Sequence, residues 1–272
     1  MALSPIALTS SILPSLQTNQ ALADRNLQRL TTGRSVNSQA DNAQAFTLAQ
    51  GLLERSGTLS AVGASIGQSV GALQAASAGT SAIAGVINQM KGLAQQALSS
   101  SDTVQQANLQ GQFNTLAHQI DAIAADSSYN GVNLISASPG SVAIPGLSPG
   151  TTATVPGTAS DSSSLGIGAA AGWSGGAASI QASLDTLDQA SRTLRNQAAE
   201  LGGNATLLQI RAGFVQAQGA IATSGAGKLT NADANEAAVN AQSANTYRQL
   251  GLAALRNAGQ SQEAVLGLFT RR

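Results

Sequence analysis

Two arms of the chain carry a seven-residue apolar repeat, and that repeat leaves little freedom in the choice of fold. In the first arm Leu59, Val62, Ile66, Leu73, Ala76, Ile83, Ile87, Met90, Ala94 and Ala97 take the seam positions, with Ser69 and Thr80 as polar exceptions. In the second, Ile180, Leu184, Leu187, Leu194, Ala198, Leu201, Ala205, Leu208, Ala212, Val215 and Ala222 do the same, with Ser191 and Gly219 in the polar or small slots. A repeat sustained this long keeps one helix face turned to a partner helix and is the pattern of a coiled coil. Gly202 and Gly203 weaken the second arm by about 1 kcal/mol each without shifting its register. Residues 43–99, if helical throughout, span roughly 85 Å. A compact globule of this length would have a radius of gyration of about 19 Å. The repeat therefore predicts a mainly α fold, a long antiparallel coiled-coil helical hairpin or bundle folded back as a rod.

The material between the arms is different. Residues 136–176 hold four of the six prolines and nine glycines, with one charge, Asp161. Such a segment cannot be helical and is too poor in large apolar residues for a core of its own. It is expected to be an exposed tip where the chain reverses, its Val-Ala-Ile-Pro and Ala-Thr-Val-Pro fragments forming short edge strands. Gly166-Ile167-Gly168 only half resembles a nucleotide-binding loop and lacks the strand before it.

Both chain ends read as helices that lack enough partners. In the tail, Val239, Tyr247, Leu250, Ala254, Ala258, Val265 and Leu268 stack along one helix face, and Leu252, Leu255 and Leu266 form a second stripe beside it. Nine large apolar side chains lie between Val239 and Phe269. Each is worth about 1.5–3 kcal/mol if fully buried, while ordering the backbone costs on the order of 1–2 kcal/mol per residue. Burial on one side alone does not meet that cost, so the tail needs two unlike partners. At the other end Ile12, Leu16, Ala23, Leu27 and Leu30 form a stripe with Leu8, Leu13 and Leu22 beside it, and Leu13–Pro14 marks a helix start or a kink. Pairing of the two terminal helices is expected.

Local signals place the joints. Thr31 to Ser38 interrupts the periodicity, after which Asp41 or Ser38 offers an N-cap. Ser99 to Asp102 separates two helices, with Asp102 and Gln105 set for a capping box. The next helix carries Leu109, Phe113, Leu116, Ile120 and Ile123, and Ser127-Ser128 stops it. Asn130-Gly131 then suits a tight hairpin between Tyr129 and Ile135. Ser224 to Gly227 is expected to loosen the second arm before the tail.

Composition narrows function. Charged residues are 10% and aromatic residues 3%, with 13 basic and 13 acidic side chains. No Lys/Arg cluster suggests nucleic acid or anionic lipid, and a neutral subunit repels its own copies little. There is no cysteine, and no run of about eighteen apolar residues to cross a membrane. The first twenty residues lack the basic start and apolar segment of a secretory signal. The single histidine, His118, precedes Asp121 on a face away from the apolar stripe and reads as a solvated pair. Asp185 and Asp188 with Arg192 and Arg195 read as pairs along one helix. No metal-ligand spacing occurs, so no cofactor, metal or catalytic residue is expected.

Several segments together resemble the bacterial flagellins. Gly33-Arg34-Ser35-Val36-Asn37-Ser38-Gln39-Ala40-Asp41-Asn42 looks like the family's signature, an Asn-Ser followed by an acidic-Asx pair that opens a long helix. Tyr129-Asn130-Gly131 with Leu134-Ile135 resembles its hairpin. Leu229 to Asp233 with Glu236 resembles the entry to its C-terminal helix, and Gln262 to Phe269 its ending. The Ala-Asp-Asn form and the Leu-Phe ending look most like the alphaproteobacterial branch with a short variable region. The family's receptor-read Arg-x-x-Glu-Leu-Ala stretch is here Gln89-Met90-Lys91-Gly92-Leu93-Ala94, which lacks the acidic residue and argues against that recognition.

The resemblance implies an inner domain of residues 1–38 and 229–272, buried in a polymer. It implies a helical rod domain of 39–135 and 177–228 with a hairpin near 127–135, and a reduced outer segment, 136–176. It also implies a structural subunit that self-assembles into the extracellular flagellar filament, exported by the type III route, without enzymatic activity. Partners would be copies of itself, an export chaperone, the filament cap and the hook–filament junction proteins, with no nucleic acid and no membrane. Residues expected to pack between subunits are Ile12, Leu16, Leu27, Leu30, Val239, Tyr247, Leu250, Leu252, Leu255, Val265, Leu266, Leu268 and Phe269. The signature positions are Gly33, Arg34, Asn37, Ser38, Asp41, Asn42, Asn130, Gly131 and Asp233. A hook–filament junction protein, or a secreted coiled-coil adhesin that presents 136–176, are the alternatives.

Overall fold

The computed structural model describes residues 5–146 and 151–270, with side chains from Ile12 to Ala264 other than Pro145 and Gln262. Its helices are α1 (Pro5–Thr32), α2 (Ala43–Ser99), α3 (Thr103–Asp126), α4 (Ala177–Thr230) and α5 (Ala234–Thr270). Between α3 and α4 lie β1 (Ser128–Tyr129), β2 (Val132–Asn133), β3 (Ser141–Pro145), β4 (Thr152–Pro156) and one 3-10 turn, Trp173–Gly175. The chain divides into two compact units, residues 56–220 and residues 1–55 with 221–272.

The first unit is built on the heptad seams. Every large seam residue named for the first arm is buried, from Leu59 to Met90, and so are Ile180, Leu187, Leu194, Leu201, Leu208 and Val215 in the second. Contacts run antiparallel: Lys91 meets Asp188 at one end, while Gly63 lies beside Val215 and Ser56 donates to the Gly219 carbonyl at the other. Buried Ser69 and Thr80 satisfy their hydroxyls on the carbonyls one turn back, Ser65 and Ala76, so neither leaves a polar atom unpaired in the seam. One window of α2 reaches a mean hydropathy of 1.4 over eighteen residues, enough by length and composition for a membrane span. That corrects the expectation of no such run. Ile66, Leu73, Ile83 and Ile87 from this helix lie in the core.

Helix α3 adds a third layer through Leu109, Phe113, Ala117, Ile120 and Ala124. Asp102 caps it, accepting from the Val104 and Gln105 amides. The reciprocal arm of the expected capping box is relayed: Ser100 Oγ donates to Gln105 and itself accepts from the Asp102 amide. The hairpin forms as the sequence predicts, Asn130 and Gly131 both taking positive φ, 48° and 79°. It seats on α2 where side chains are missing. A Cβ on Gly71 would lie 2.7 Å from the Tyr129 ring, and one on Gly79 would meet Ser127 and Ile135. Asn133 staples the hairpin to α3, donating to the carbonyls of Ala124 and Ala125 and accepting from the amides of Ile135 and Ser136.

The proline- and glycine-rich segment is more than an exposed tip. Its two Pro-terminated fragments pair as β3 and β4, Val142 opposite Val155 and Ile144 opposite Ala153. Residues 157–176 then form a strap laid into the helical core, with Leu165, Ile167, Ala170 and Trp173 all buried. Side chains of α3 hold its backbone: Asp121 accepts from the Ser162 amide, Asn114 bonds both the amide and the carbonyl of Ala170, and Gln110 accepts from the Trp173 amide. From α4, Gln197 accepts from Ser160 Oγ and donates to the Ala159 carbonyl, and Ser183 Oγ accepts from Trp173 Nε1. The strap has no core of its own; it completes that of the helices. Trp173 meets Phe113 edge to face at 5.1 Å.

Pro14 lies inside α1, which excludes the helix start among the two readings the sequence allowed. Three other local expectations are corrected. Helix α4 passes through Ser224 to Gly227 and ends at Thr230. Asp188 pairs across the seam with Lys91 at 2.6 Å, not with an arginine on its own helix. The cap of α2 is Asn42, whose side chain accepts from the Ala45 amide at 3.0 Å, one residue past Asp41 and four past Ser38, the two positions the sequence suggested.

Candidate functional site

The second unit carries the residues expected to act. Helices α1 and α5 pack along their length and run antiparallel: Leu16 sits against Gly251, and Gln20 accepts from Arg248 at 3.2 Å. A Cβ on Gly251 would lie 3.0 Å from Leu16, so glycine there lets the two backbones approach. The shielded positions of α5 are Ala237, Ala241, Ala244, Asn245, Arg248, Gly251, Leu255, Ala258 and Gly259, a face of near-heptad spacing made mostly of small residues. On α1 they are Ile12, Leu16, Asn19, Ala23, Asn26, Arg29 and Leu30.

The large apolar side chains of α5 lie elsewhere. Val239, Tyr247 and Leu250 are 60–65% exposed, and Leu252 is exposed beside them. On α1, Leu13, Leu22 and Leu27 are exposed, so Leu27 is not part of the shielded stripe where the sequence placed it. Leu16, Gln17, Gln20, Ala21, Asp24, Arg248 and Leu252 line an open groove of about 520 Å³ between the helices. Arg29 and Arg248 each hold an Nε shielded from solvent without an acceptor. The side chains of Leu8, Val265, Leu266, Leu268 and Phe269 lie outside the described residues, although α5 runs as helix to Thr270.

The signature residues build the joint beneath these helices. Gly33 takes φ +67°, a left-handed conformation that favours glycine. Its carbonyl accepts from the Ala232 amide, Arg34 bridges to Asn231, and the amide and hydroxyl of Ser35 both donate to the Thr230 carbonyl. The α1–α2 and α4–α5 links are thereby tied together. Asp41 closes the loop: one carboxylate oxygen accepts from the Asn37 amide, the Ser38 amide and Ser38 Oγ at 2.9–3.1 Å. Those bonds, the Asn37 amide first, hold its carboxyl below the usual range, with Arg25 adding a weaker pull. Asp233 caps α5, accepting from the Asn235 and Glu236 amides. Sequence reasoning found the signature but not its tie to residues 230–232, because a backbone pairing between distant links leaves no side-chain pattern.

Among the described residues no group of three or more His, Cys, Asp or Glu could hold a metal ion. His118 is exposed, and its neighbour Asp121 is engaged by the strap.

Residues 4–139 match the family described as "Bacterial flagellin N-terminal helical region", and residues 184–269 match "Bacterial flagellin C-terminal helical region". The chain belongs to the bacterial flagellin family. It is 30% identical to flagellin FljM of Caulobacter vibrioides over 277 residues, covering 99% of this chain and all of that one. Flagellin FljN of the same organism is 30% identical over 278 residues with the same coverage. The crystal structure of Bacillus cereus flagellin aligns with a TM-score of 0.48 at 21% identity, over 54% of this chain and 86% of that one. This flagellin is thus a structural subunit that self-assembles into the extracellular bacterial flagellar filament and serves swimming motility.

Proposed function

We propose that this flagellin builds its filament by packing the large apolar faces of α1 and α5 against different faces of neighbouring subunits. The contact is heterologous, so the array grows without closing. The observation that carries the reading is the division of labour on α5: its alanine and glycine face goes to α1, while Val239, Tyr247 and Leu250 stay in water. A lone subunit has no reason to expose them on a helix this poor in charge.

The residues open to make the contact are Leu27 on α1 and Val239, Tyr247, Leu250 and Leu252 on α5; Ile12, Leu16, Leu30 and Leu255, which the sequence also assigned to it, lie on the shielded faces of α1 and α5. By periodicity Val265, Leu266, Leu268 and Phe269 extend the second set. In this reading 1–38 with 229–272 form the inner domain, 39–135 with 177–228 the rod, and 136–176 the reduced outer segment. Family membership supports export through the flagellar type III channel and dealings with a chaperone, a cap and junction proteins, and a role that is structural without catalysis.

A chain lacking residues 233–272 tests this. Residues 56–220 keep their own core, so helical circular dichroism from that unit should persist while seeded sedimentation yields no filament. Pelleted filaments from the truncated chain would refute the proposal.

A further inference from the structure

The single charge of residues 136–176, Asp161, sits where a charge is hardest to keep. Its residue is 7% exposed, and among the described residues no lysine or arginine forms a salt bridge with it. Ser163 Oγ donates to Asp161 Oδ2, while Oδ1 is shielded from solvent and has no hydrogen-bond partner. Burial pushes the carboxyl up, but the nearby Ser163 and Ser164 hydroxyls and the Ser164 amide outweigh that and hold it below the usual carboxylate range. The group is therefore an anion at neutral pH. Hydroxyls and amides leave its net charge in place, and a buried charge is kept where it is paired or coordinates a metal. A second carboxylate adjoins it. Asp121, half-buried on α3, accepts from the Ser162 amide at 2.8 Å, and that nitrogen belongs to the peptide link leaving Asp161. Asp121 has no lysine or arginine bridged to it among the described residues either. Distant in sequence, the two aspartates show no ligand spacing; the strap brings them to one peptide link.

We propose that Asp161 and Asp121 together bind one calcium ion, which clips the strap to α3. Two unbalanced negative charges match one divalent cation. The donors are hard oxygens, which suit calcium or magnesium better than transition metals. Calcium accepts an irregular shell of about six to eight oxygens, whereas magnesium demands a near-octahedral one and gives up its water reluctantly. Asp161 Oδ1 supplies one ligand and the Asp121 carboxylate another, with the Ser163 hydroxyl beside them. Ser163 and Ser164 are exposed, so water reaches this side of the turn and completes the shell. With so few protein ligands the affinity falls in the weak range of extracellular modules, a Kd of about 0.1–1 mM. The site lies within one subunit and is independent of assembly.

Unfolding separates the two aspartates, so calcium binding should also stabilise the fold. The full-length monomer, stripped of divalent cations, is titrated with calcium chloride in a calorimeter, and one saturable site per chain is expected in that affinity range. About 10 mM calcium should raise the melting midpoint, read by circular dichroism, by about 3 °C or more. Magnesium at the same concentration should shift it less than half as far, and sodium chloride of matched ionic strength not at all. Asp161→Asn keeps the side chain's shape and its acceptor for Ser163, and Asp121→Asn keeps the acceptor for the Ser162 amide. Each should remove both the heat and the shift while leaving the calcium-free helical signal unchanged. No saturable heat and no shift in the unmodified chain would assign Oδ1 to a water molecule and overturn the proposal. An undiminished shift in either variant, or an equal one in sodium chloride, would mark screening or an adventitious ion only and do the same. A magnesium shift equal to that of calcium would overturn the choice of ion. If Asp161→Asn loses its helical signal, Asp121→Asn decides.

Discussion

Asp41 shows how one side chain sets a joint. Its carboxyl is held below the ordinary value of 3.8 by the Asn37 and Ser38 amides. A group whose pKa is lowered on folding stabilises the fold fully above its unfolded value, and the contribution fades as pH falls through the folded value. The α1–α2 loop should therefore loosen below about pH 4. Amide exchange at Asn37 and Ser38 should speed up there relative to its intrinsic rate, whereas in Asp41→Asn it should already be fast at neutral pH. Glycines provide a second test at this scale. Gly79→Ala would drive a Cβ into Ser127 and Ile135, while Gly85→Ala meets nothing within 4 Å. The second should stabilise by about 0.5–1 kcal/mol through helix propensity, and the first should destabilise by about 1–3 kcal/mol through overpacking. Urea titrations of both variants check the opposite signs.

Among the elements, the strap of residues 157–176 matters most to the core of residues 56–220. Trp173 is fully buried, stacks edge to face on Phe113 and donates to Ser183. Trp173→Ala should cost about 3–5 kcal/mol, read by circular dichroism because the only tryptophan is gone. The seams of α2 and α4 were legible in the sequence, since each residue from Leu59 to Ala97 repeats one message at fixed spacing. The hairpin was legible through Asn130-Gly131, which few other conformations accommodate. The strap was not, because it is held by Gln110, Asn114, Asp121 and Gln197 clasping backbone groups far away in sequence. No periodicity announces such bonds. The helix through Ser224 to Gly227 was missed for a related reason: Leu52 packs where Gly225 has no side chain, so tertiary contact outweighs local propensity there.

At the scale of the whole molecule, the subunit resembles an assembly part more than a finished globule. The face of α5 turned to α1 is made mostly of small residues, while Val239, Tyr247, Leu250 and Leu252, drawn from both stripes the sequence marked, stay exposed; alanines and a glycine give no apolar stripe to read, so the sequence did not show which face α1 would take. The most direct test is a chain carrying Tyr247→Ser and Leu250→Ser. Both side chains are about 60% exposed in the subunit, so monomer helicity and the melting temperature should hardly change. Each would lose about 1.5–3 kcal/mol of burial if a neighbour covers it. Seeded filament growth, followed by sedimentation across a range of concentrations, is predicted to fail at concentrations where the unmodified chain polymerises fully. Growth at an unchanged critical concentration would contradict the account.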